Sequence, residues 1–370
     1  MIFKFGKYQK SPDYFLVSIF IFLISFGLII LSSASSDIGK IRFNDTYYYF
    51  GHQIKYGLLL GIIGATIGYY IPLKWLRNIA LPFFITTLAL LALVLFSQFG
   101  VSYQGSTRWL QIGKFTFQPS ELLKVSFIMY LSAWLSNPRI NRGHEFARGF
   151  LPFILLSALA SGLLILQPAT SAVVILLSAS ALTYFISGAR AKYLIGLILL
   201  SGILLISLIY FTPYRFDRVK SFFSENSDPL GKTYHFDQAI TAIGSGGLNG
   251  VGYGKSGTKY KYLPESIGDS IFAITAEEFG FIGVLLTLTA FLFLIIRGFQ
   301  ISYKLRDDYA KYLMTGLTSL IGLQAFMNIA AISGFIPLTG VTLPFVSYGG
   351  TSLATFMIIA GIMLNLSRRV

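Results

Sequence analysis

Cysteine is absent from the 370 residues, so disulfides, zinc–thiolate centres and thiol redox chemistry are excluded at the outset. That absence fixes no compartment. Charge is also scarce: Asp, Glu, Lys and Arg make up 12% of the chain against 54% hydrophobic residues, and the apolar runs are long enough to cross a bilayer. A soluble globular protein is thereby excluded. Acids are the scarcer sign, 15 against 29 bases, leaving a formal charge of +14. The basic surplus forms no stripe with a nucleic-acid docking motif. It is scattered through short loops, which suits membrane topology and anionic lipid and gives no nucleic-acid partner. No low-complexity tract, strong internal repeat or metal-ligand spacing is visible, and the missing inverted repeat counts against a secondary transporter.

What is present is a series of about ten apolar segments of spanning length. They are expected near 13–33, 54–71, 79–97, 120–136, 150–166, 171–187, 193–211, 270–296, 311–333 and 344–366. The fold class is therefore an all-α polytopic membrane protein, expected to form one domain over 1–370. Lys4, Lys7 and Lys10 ahead of the first run resemble a signal peptide, but the run is too long for one, and a retained first span is expected. Lys74, Arg77, Arg139, Arg142, Arg148, Arg190, Lys192, Arg297, Lys304, Arg306, Arg368 and Arg369 fall on one side with the N-terminal lysines. The positive-inside rule makes that side cytoplasmic and puts both termini there. The long hydrophilic stretch from Phe211 to Ser270, between the seventh and eighth spans, is then an external loop.

Candidate chemistry clusters at the external ends of the spans. Arg108 lies beside Trp109, as an interfacial anchor or a phosphate contact. Gln118-Pro119-Ser120-Glu121-Leu122-Leu123-Lys124 opens the fourth span, with Ser120 a candidate N-cap and Glu121 and Lys124 on one helical face. They are either a simple ion pair or, because charge is costly in lipid, the lining of a polar cavity. The glycine-rich run Gly244 to Gly254 follows no buried strand, so turns and close backbone approach explain it at least as well as phosphate binding. Tyr253, Tyr260, Lys255, Lys259 and Lys261 suit a surface on headgroups or sugars. Ser266 and Asp269 have capping-box spacing ahead of the eighth span, and Asp269 shares a face with Ala273, Ala276 and Gly280. That small-residue stripe either packs tightly or leaves a groove for a lipid chain. Glu277 and Glu278 lie off this face as candidates for buried pairing. Prolines and glycines from Gly334 to Ser352 predict a broken or re-entrant element.

The run Gly334-Phe335-Ile336-Pro337-Leu338-Thr339-Gly340-Val341-Thr342-Leu343-Pro344-Phe345-Val346-Ser347-Tyr348-Gly349-Gly350-Thr351-Ser352 resembles the signature of the SEDS (shape, elongation, division and sporulation) family of polytopic peptidoglycan glycosyltransferases. Arg108-Trp109-Leu110, the 118–124 segment, Asp228-Pro229-Leu230-Gly231, Ile243 to Leu248 and Leu263-Pro264-Glu265 support the resemblance in the right order along nearly the whole chain. Tyr234 to Ala239 and Leu343 to Tyr348 look more like the division-type branch than the elongation-type one.

The resemblance implies ten spans with cytoplasmic ends. It also implies polymerisation of lipid II with undecaprenyl-pyrophosphate-linked glycan, alongside a class B penicillin-binding protein and other division or elongation proteins. The family's catalytic aspartate matches Asp269. Two positions depart from the family pattern: Ile267-Gly268 stand where His-Thr is usual, and Ala169 stands where the fifth-to-sixth hairpin usually has an acid. Asp269 is the expected general base, and Arg108, Lys124, Arg215 and Arg218 are expected ligands of the pyrophosphate. Glu121, Ser347 and Tyr348 complete the expected substrate-binding set, and a divalent cation, Mg or Mn, is left open as cofactor. Helix N-terminal placement would lower the aspartate's pKa and burial would raise it. The rival readings are a lipid II flippase and a non-catalytic scaffold. The first needs a polar pathway at mid-membrane, whereas the ionisable residues gather at helix ends.

Overall fold

The structure, a computed structural model, describes residues 11–97, 99–103, 106–113, 115–137, 145–212, 216, 220, 222, 234–260 and 263–370. The chain is a multi-pass helical membrane protein, and every predicted span meets a helix. These are α1 (Tyr14–Ala34), α3 (Tyr48–His52) running through a π-helical turn (Gln53–Leu58) into α4 (Leu59–Tyr70), α5 (Leu73–Phe96), α6 (Pro119–Leu135), α7 (Leu151–Leu166), α8 (Thr170–Ile186), α9 (Ala191–Tyr210), α11 (Ile271–Lys304), α12 (Asp308–Ile332) and α13 (Gly350–Ser367). Short helices α2 (Ser36–Phe43) and α10 (Tyr234–Ser245) lie between them. Among the described residues six helices are long and apolar enough to cross a membrane, and α8 and α9 are shorter apolar ones.

Glycine sets how closely the helices approach. Gly57, Gly61, Gly64 and Gly68 form a seam along the π-turn and α4, where added methyl groups would meet Leu353, Met357, Ile358 and Ile362 of α13. From the other side, a side chain on Gly361 would strike the Ala65 carbonyl at 2.1 Å. In lipid, where no hydrophobic force drives helices together, such small-residue seams permit the close van der Waals contact that does. Asp13 caps α1 by accepting from the Leu16 amide and pairs with Arg297 near the end of α11 at 2.6 Å. Its backbone amide donates to Ser367 at the end of α13 (3.1 Å), so the ends of three spans are tied together.

Several expectations need correcting. The loop before α6 contains a three-stranded antiparallel sheet, β1 (Gly100–Tyr103), β2 (Ser106–Ile112) and β3 (Phe115–Phe117), too short to announce itself by alternation. Ser120 is not the N-cap of α6: Gln118 is, with Pro119 in the first position, where its missing N–H costs nothing. The final span begins at Gly350 rather than 344, because residues 333–349 are non-helical, as the broken element requires.

The second half of the stretch from Phe211 to Ser270 is not a wholly exposed loop: Ser256, Lys259 and Ser266 are at 0–2% exposure. α11 is interrupted at Gly280 (φ 62°, ψ −159°), and the glycine-rich segment docks into the break. Val251 and Gly252 amides donate to the Glu277 and Glu278 carbonyls (2.9 and 3.1 Å), while Phe281 and Ile282 amides donate to Gly247 and Leu248 (2.9 and 3.3 Å). The interrupted helix thus recovers its hydrogen bonds from another part of the chain, as a backbone in lipid must. Close approach is why the segment is glycine-rich: side chains at Gly246 and Gly250 would lie 2.0 Å and 2.1 Å from helix carbonyls.

Two carboxylates lock this contact. Glu278 pairs with Lys259 at 3.0 Å, both side chains buried, and Lys259 also donates to Ser33 and to the Gly254 carbonyl. Glu277 accepts from Ser256 (2.5 Å), Thr258 and the Gly257 amide (2.9 Å). Lys259 is therefore a buried partner, not part of a basic headgroup surface. Of the two readings of the small-residue stripe beneath Asp269, tight packing holds: Ala273 and Ala276 are buried, with Gly246 against the Ala276 carbonyl.

Candidate active site

The candidate residues meet at the end of the bundle opposite Asp13, where α6, α8, α11 and α13 begin and α12 ends. Two amides of α12, Gln324 and Asn328, stand one turn apart on one buried face and organise that end. Asn328 Nδ2 donates to the Asp269 carbonyl (2.8 Å) and the Val341 carbonyl (2.6 Å). Gln324 Nε2 donates to the Thr342 carbonyl (3.1 Å), and its Oε1 accepts from Lys124 Nζ at 2.5 Å. Lys124 in turn pairs with Glu121 at 2.9 Å, and both are buried. The Glu121–Lys124 pair is thus real, and it is also the first link of a chain through Gln324 to the loop beside Asp269.

Asp269 is not a helix cap. α11 starts at Ile271 with Ser270 as its N-cap, so the Ser266–Asp269 box does not form. The Asp269 side chain is 12% exposed, and its carboxylate lies 4.0 Å from His235 Nε2 on α10. Ser270 Oγ donates to the Pro264 carbonyl (3.0 Å) and stands 2.7 Å from the same His235 nitrogen. With the serine proton on Pro264, His235 donates to Ser270 through a protonated Nε2. His235 therefore sits where it can orient or share charge with the aspartate.

Tyr348 closes the site from the other side. Its amide donates to the Ile267 carbonyl (2.8 Å), and its hydroxyl meets His52 Nδ1 at 3.0 Å. Burial holds the phenol above its ordinary range, so it keeps its proton to share with His52. Ser347 is buried and its hydroxyl accepts from the Leu343 amide (2.8 Å), so it braces the turn. Gln53, in the π-helical turn, grips the same loop through the Ser347 carbonyl (3.3 Å) and the Gly349 amide (3.0 Å). The loop includes Phe345 at φ 67°, an uncommon conformation for a bulky residue, which packing against Phe20 and Phe356 over-determines.

Arg108, on β2, donates to the Gln167 and Pro168 carbonyls at 3.0 and 2.6 Å, tying the sheet to the α7–α8 turn. That turn reaches the loop through Ser171, which donates to the Thr339 carbonyl at 2.7 Å. Ala169, in place of the family's usual acid, is buried beside it. Arg215 and Arg218 lie outside the described residues. Among the described residues no three His, Asp or Glu side chains converge as a metal site. Gln53, His235, Gln324 and Asn328 were not singled out from sequence. The available signal was the pair of amides one turn apart inside an apolar span, which lipid tolerates only when they are bonded.

Comparison with known proteins bears on what this geometry does. The FTSW_RODA_SPOVE family profile, described as a cell cycle protein, matches residues 14–370. The chain is 36% identical over 365 residues to stage V sporulation protein E of Bacillus subtilis, covering 97% of this chain and 98% of that one. It is 33% identical over 363 residues to the "Probable peptidoglycan glycosyltransferase FtsW" of a Geobacter species, covering 98% of each. Among solved structures, a chain from a peptidoglycan synthase complex that coordinates polymerization and crosslinking superposes with a TM-score of 0.81 at 26% identity, covering 97% of this chain and 98% of that one. The rod shape determining protein RodA of Thermus thermophilus superposes with a TM-score of 0.68, also at 26% identity and over the same shares.

Proposed function

The chain belongs to the FtsW/RodA/SpoVE family of cell cycle proteins, and on that premise we propose how its site carries out the chemistry of a peptidoglycan glycosyltransferase. The reaction joins lipid II to an undecaprenyl-pyrophosphate-linked glycan. The 4-hydroxyl of the incoming sugar attacks the anomeric carbon of the growing strand, the bond to the pyrophosphate breaks with inversion, and the lipid pyrophosphate leaves with the electron pair. Asp269 takes the hydroxyl proton. Pyrophosphate needs cationic stabilisation rather than protonation, and Arg108, Arg215 and Arg218 are the nominated cations, whereas Lys124, buried against Glu121 and Gln324, positions the loop. Among the described residues no cluster of His, Asp or Glu would hold a divalent cation beside Asp269, so no step is assigned to one.

The observation that carries this reading is the convergence of the Lys124–Gln324–Thr342 chain, Asn328 and His235 on the Asp269 segment. Residues 1–370 act as one membrane domain with the Asp269 end outside the cytoplasmic membrane and both termini inside. A class B penicillin-binding protein is the partner that cross-links the product, and other division or elongation proteins recruit the pair. The test is lipid II polymerisation by the purified protein with that partner. Asp269→Asn is expected to lower the rate by about 10²- to 10⁴-fold, the usual worth of a general base. Polymerisation at the wild-type rate would overturn the base assignment, and lipid II crossing vesicles without polymer would favour a flippase.

A further inference from the structure

A surface cavity of about 370 Å³ is lined by Asp45, Tyr47, Tyr48, His52, Lys55 and Tyr56. One wall is a run of rings. Phe43 stacks on Tyr48 at 3.6 Å, Tyr48 lies 6.3 Å from His52, and His52 lies 4.6 Å from Tyr56. Tyr56 lies within the π-helical turn that begins at Gln53. Tyr47 is 66% exposed; Tyr48 is 37% exposed with one face covered by Phe43, and the Lys55 ammonium lies over the Tyr56 ring at 5.3 Å. The charged lining is one acid and one base, Asp45 and Lys55. That balance gives no field for a polyanion. It offers an acceptor and a donor beside flat apolar faces, the combination that suits a ligand with hydroxyls on its rim and an apolar face on its ring.

The cavity is coupled to the reacting end. His52 forms its wall and meets the Tyr348 hydroxyl at 3.0 Å, and the Tyr348 amide holds the Ile267 carbonyl, two residues before Asp269. A polymerase that adds sugar after sugar must hold the strand beyond the sugars that react. We propose that this cavity is a saccharide subsite that holds the glycan strand away from Asp269, with Tyr47 and the face of Tyr48 turned away from Phe43 stacking on pyranose faces and Asp45 and Lys55 bonding their hydroxyls. The proposal rests on the polymerase reading for its role, but the binding itself is measured without turnover.

The experiment uses the full chain in lipid nanodiscs, in the Asp269→Asn background, with a soluble un-cross-linked peptidoglycan tetrasaccharide as probe. Saturable binding is expected, weakened roughly five- to tenfold by Tyr48→Ala, the size of one lost ring contact, and restored by Tyr48→Phe, which keeps the ring. Lys55→Ala and Tyr47→Ala, both at exposed positions, are expected to weaken binding too and carry the test if Tyr48→Ala does not fold. With Asp269 intact, the Tyr48→Ala protein is expected to make shorter strands. Absence of binding, binding unchanged in all three alanine variants, or displacement of the saccharide by inorganic pyrophosphate overturns the subsite. Unchanged binding would leave the tyrosines as interfacial anchors. A chain that binds the tetrasaccharide through Tyr48 yet polymerises nothing with Asp269 intact sustains the subsite and refutes the polymerase.

Discussion

Replacing Gly280 by alanine attacks the point where α11 is interrupted. Its φ of 62° and ψ of −159° lie in a region that is essentially glycine's alone, which costs about 1–3 kcal/mol for any other residue. The new methyl would also stand 2.3 Å from the Gly250 nitrogen and 2.6 Å from the Leu248 oxygen. Both are backbone atoms with no rotamer to escape into, and ordinary contact would require them to retreat by about 1 Å. Such a shift breaks some of the four hydrogen bonds between the glycine segment and the helix, at about 1 kcal/mol net for each. Two lost bonds plus the strain give a destabilisation of about 3–5 kcal/mol, a large share of a typical folding free energy. The control is Gly244→Ala in α10, where nothing lies within 4 Å of the added carbon, and which is expected to be neutral or slightly stabilising. Unfolding midpoints of both variants in matched detergent test the pair, with lipid II polymerisation as a second readout. Gly280→Ala unfolding together with wild type would refute the view that the break needs glycine.

The buried Lys259–Glu278 pair yields a second expectation. Lys259→Met leaves the buried Glu278 carboxylate without its counter-charge and should destabilise by about 3–5 kcal/mol, whereas Lys259→Met with Glu278→Gln should recover most of that loss, as a double-variant cycle of unfolding would show. At the opposite end, burial alone would raise the Asp13 carboxyl, but hydrogen bonds from Arg297 and the Leu16 amide and the arginine's charge together hold it below its ordinary 3.8. Its contribution is therefore complete above that value and lost as pH falls through the lowered folded pKa. An acid titration of the unfolding midpoint should show a loss that Asp13→Asn lacks.

The spans were legible because a bilayer demands long apolar runs, and the broken element before α13 because Pro337, Pro344 and the surrounding glycines cannot continue a helix. Asp269 was legible through its resemblance to a family motif, and its local setting was not. Capping-box spacing at Ser266 and Asp269 describes a helix that starts four residues before this one does. The interruption at Gly280 was hidden because a glycine in an apolar helix is ordinary in membranes, and only the docked segment distinguishes a break from a tight contact. Lys259 looked like a headgroup contact because its partners, Ser33 and Glu278, are remote in sequence. The same holds for the Lys124–Gln324 contact, which spans two hundred residues of chain.

The docking of the glycine segment into α11 also decides how this part of the molecule comes apart. The amides of Phe281 and Ile282 belong to a long helix, yet their acceptors are the carbonyls of Gly247 and Leu248. When the segment lifts away, those amides lose their shelter with it, and so do the Val251 and Gly252 amides on the other side. The loop and the helix around Gly280 should then exchange hydrogen for deuterium as one cooperative unit, at a rate set by undocking rather than by fraying of helix ends. The segment is thus no appendage to a finished helix: it is the second half of the helix's own backbone pairing.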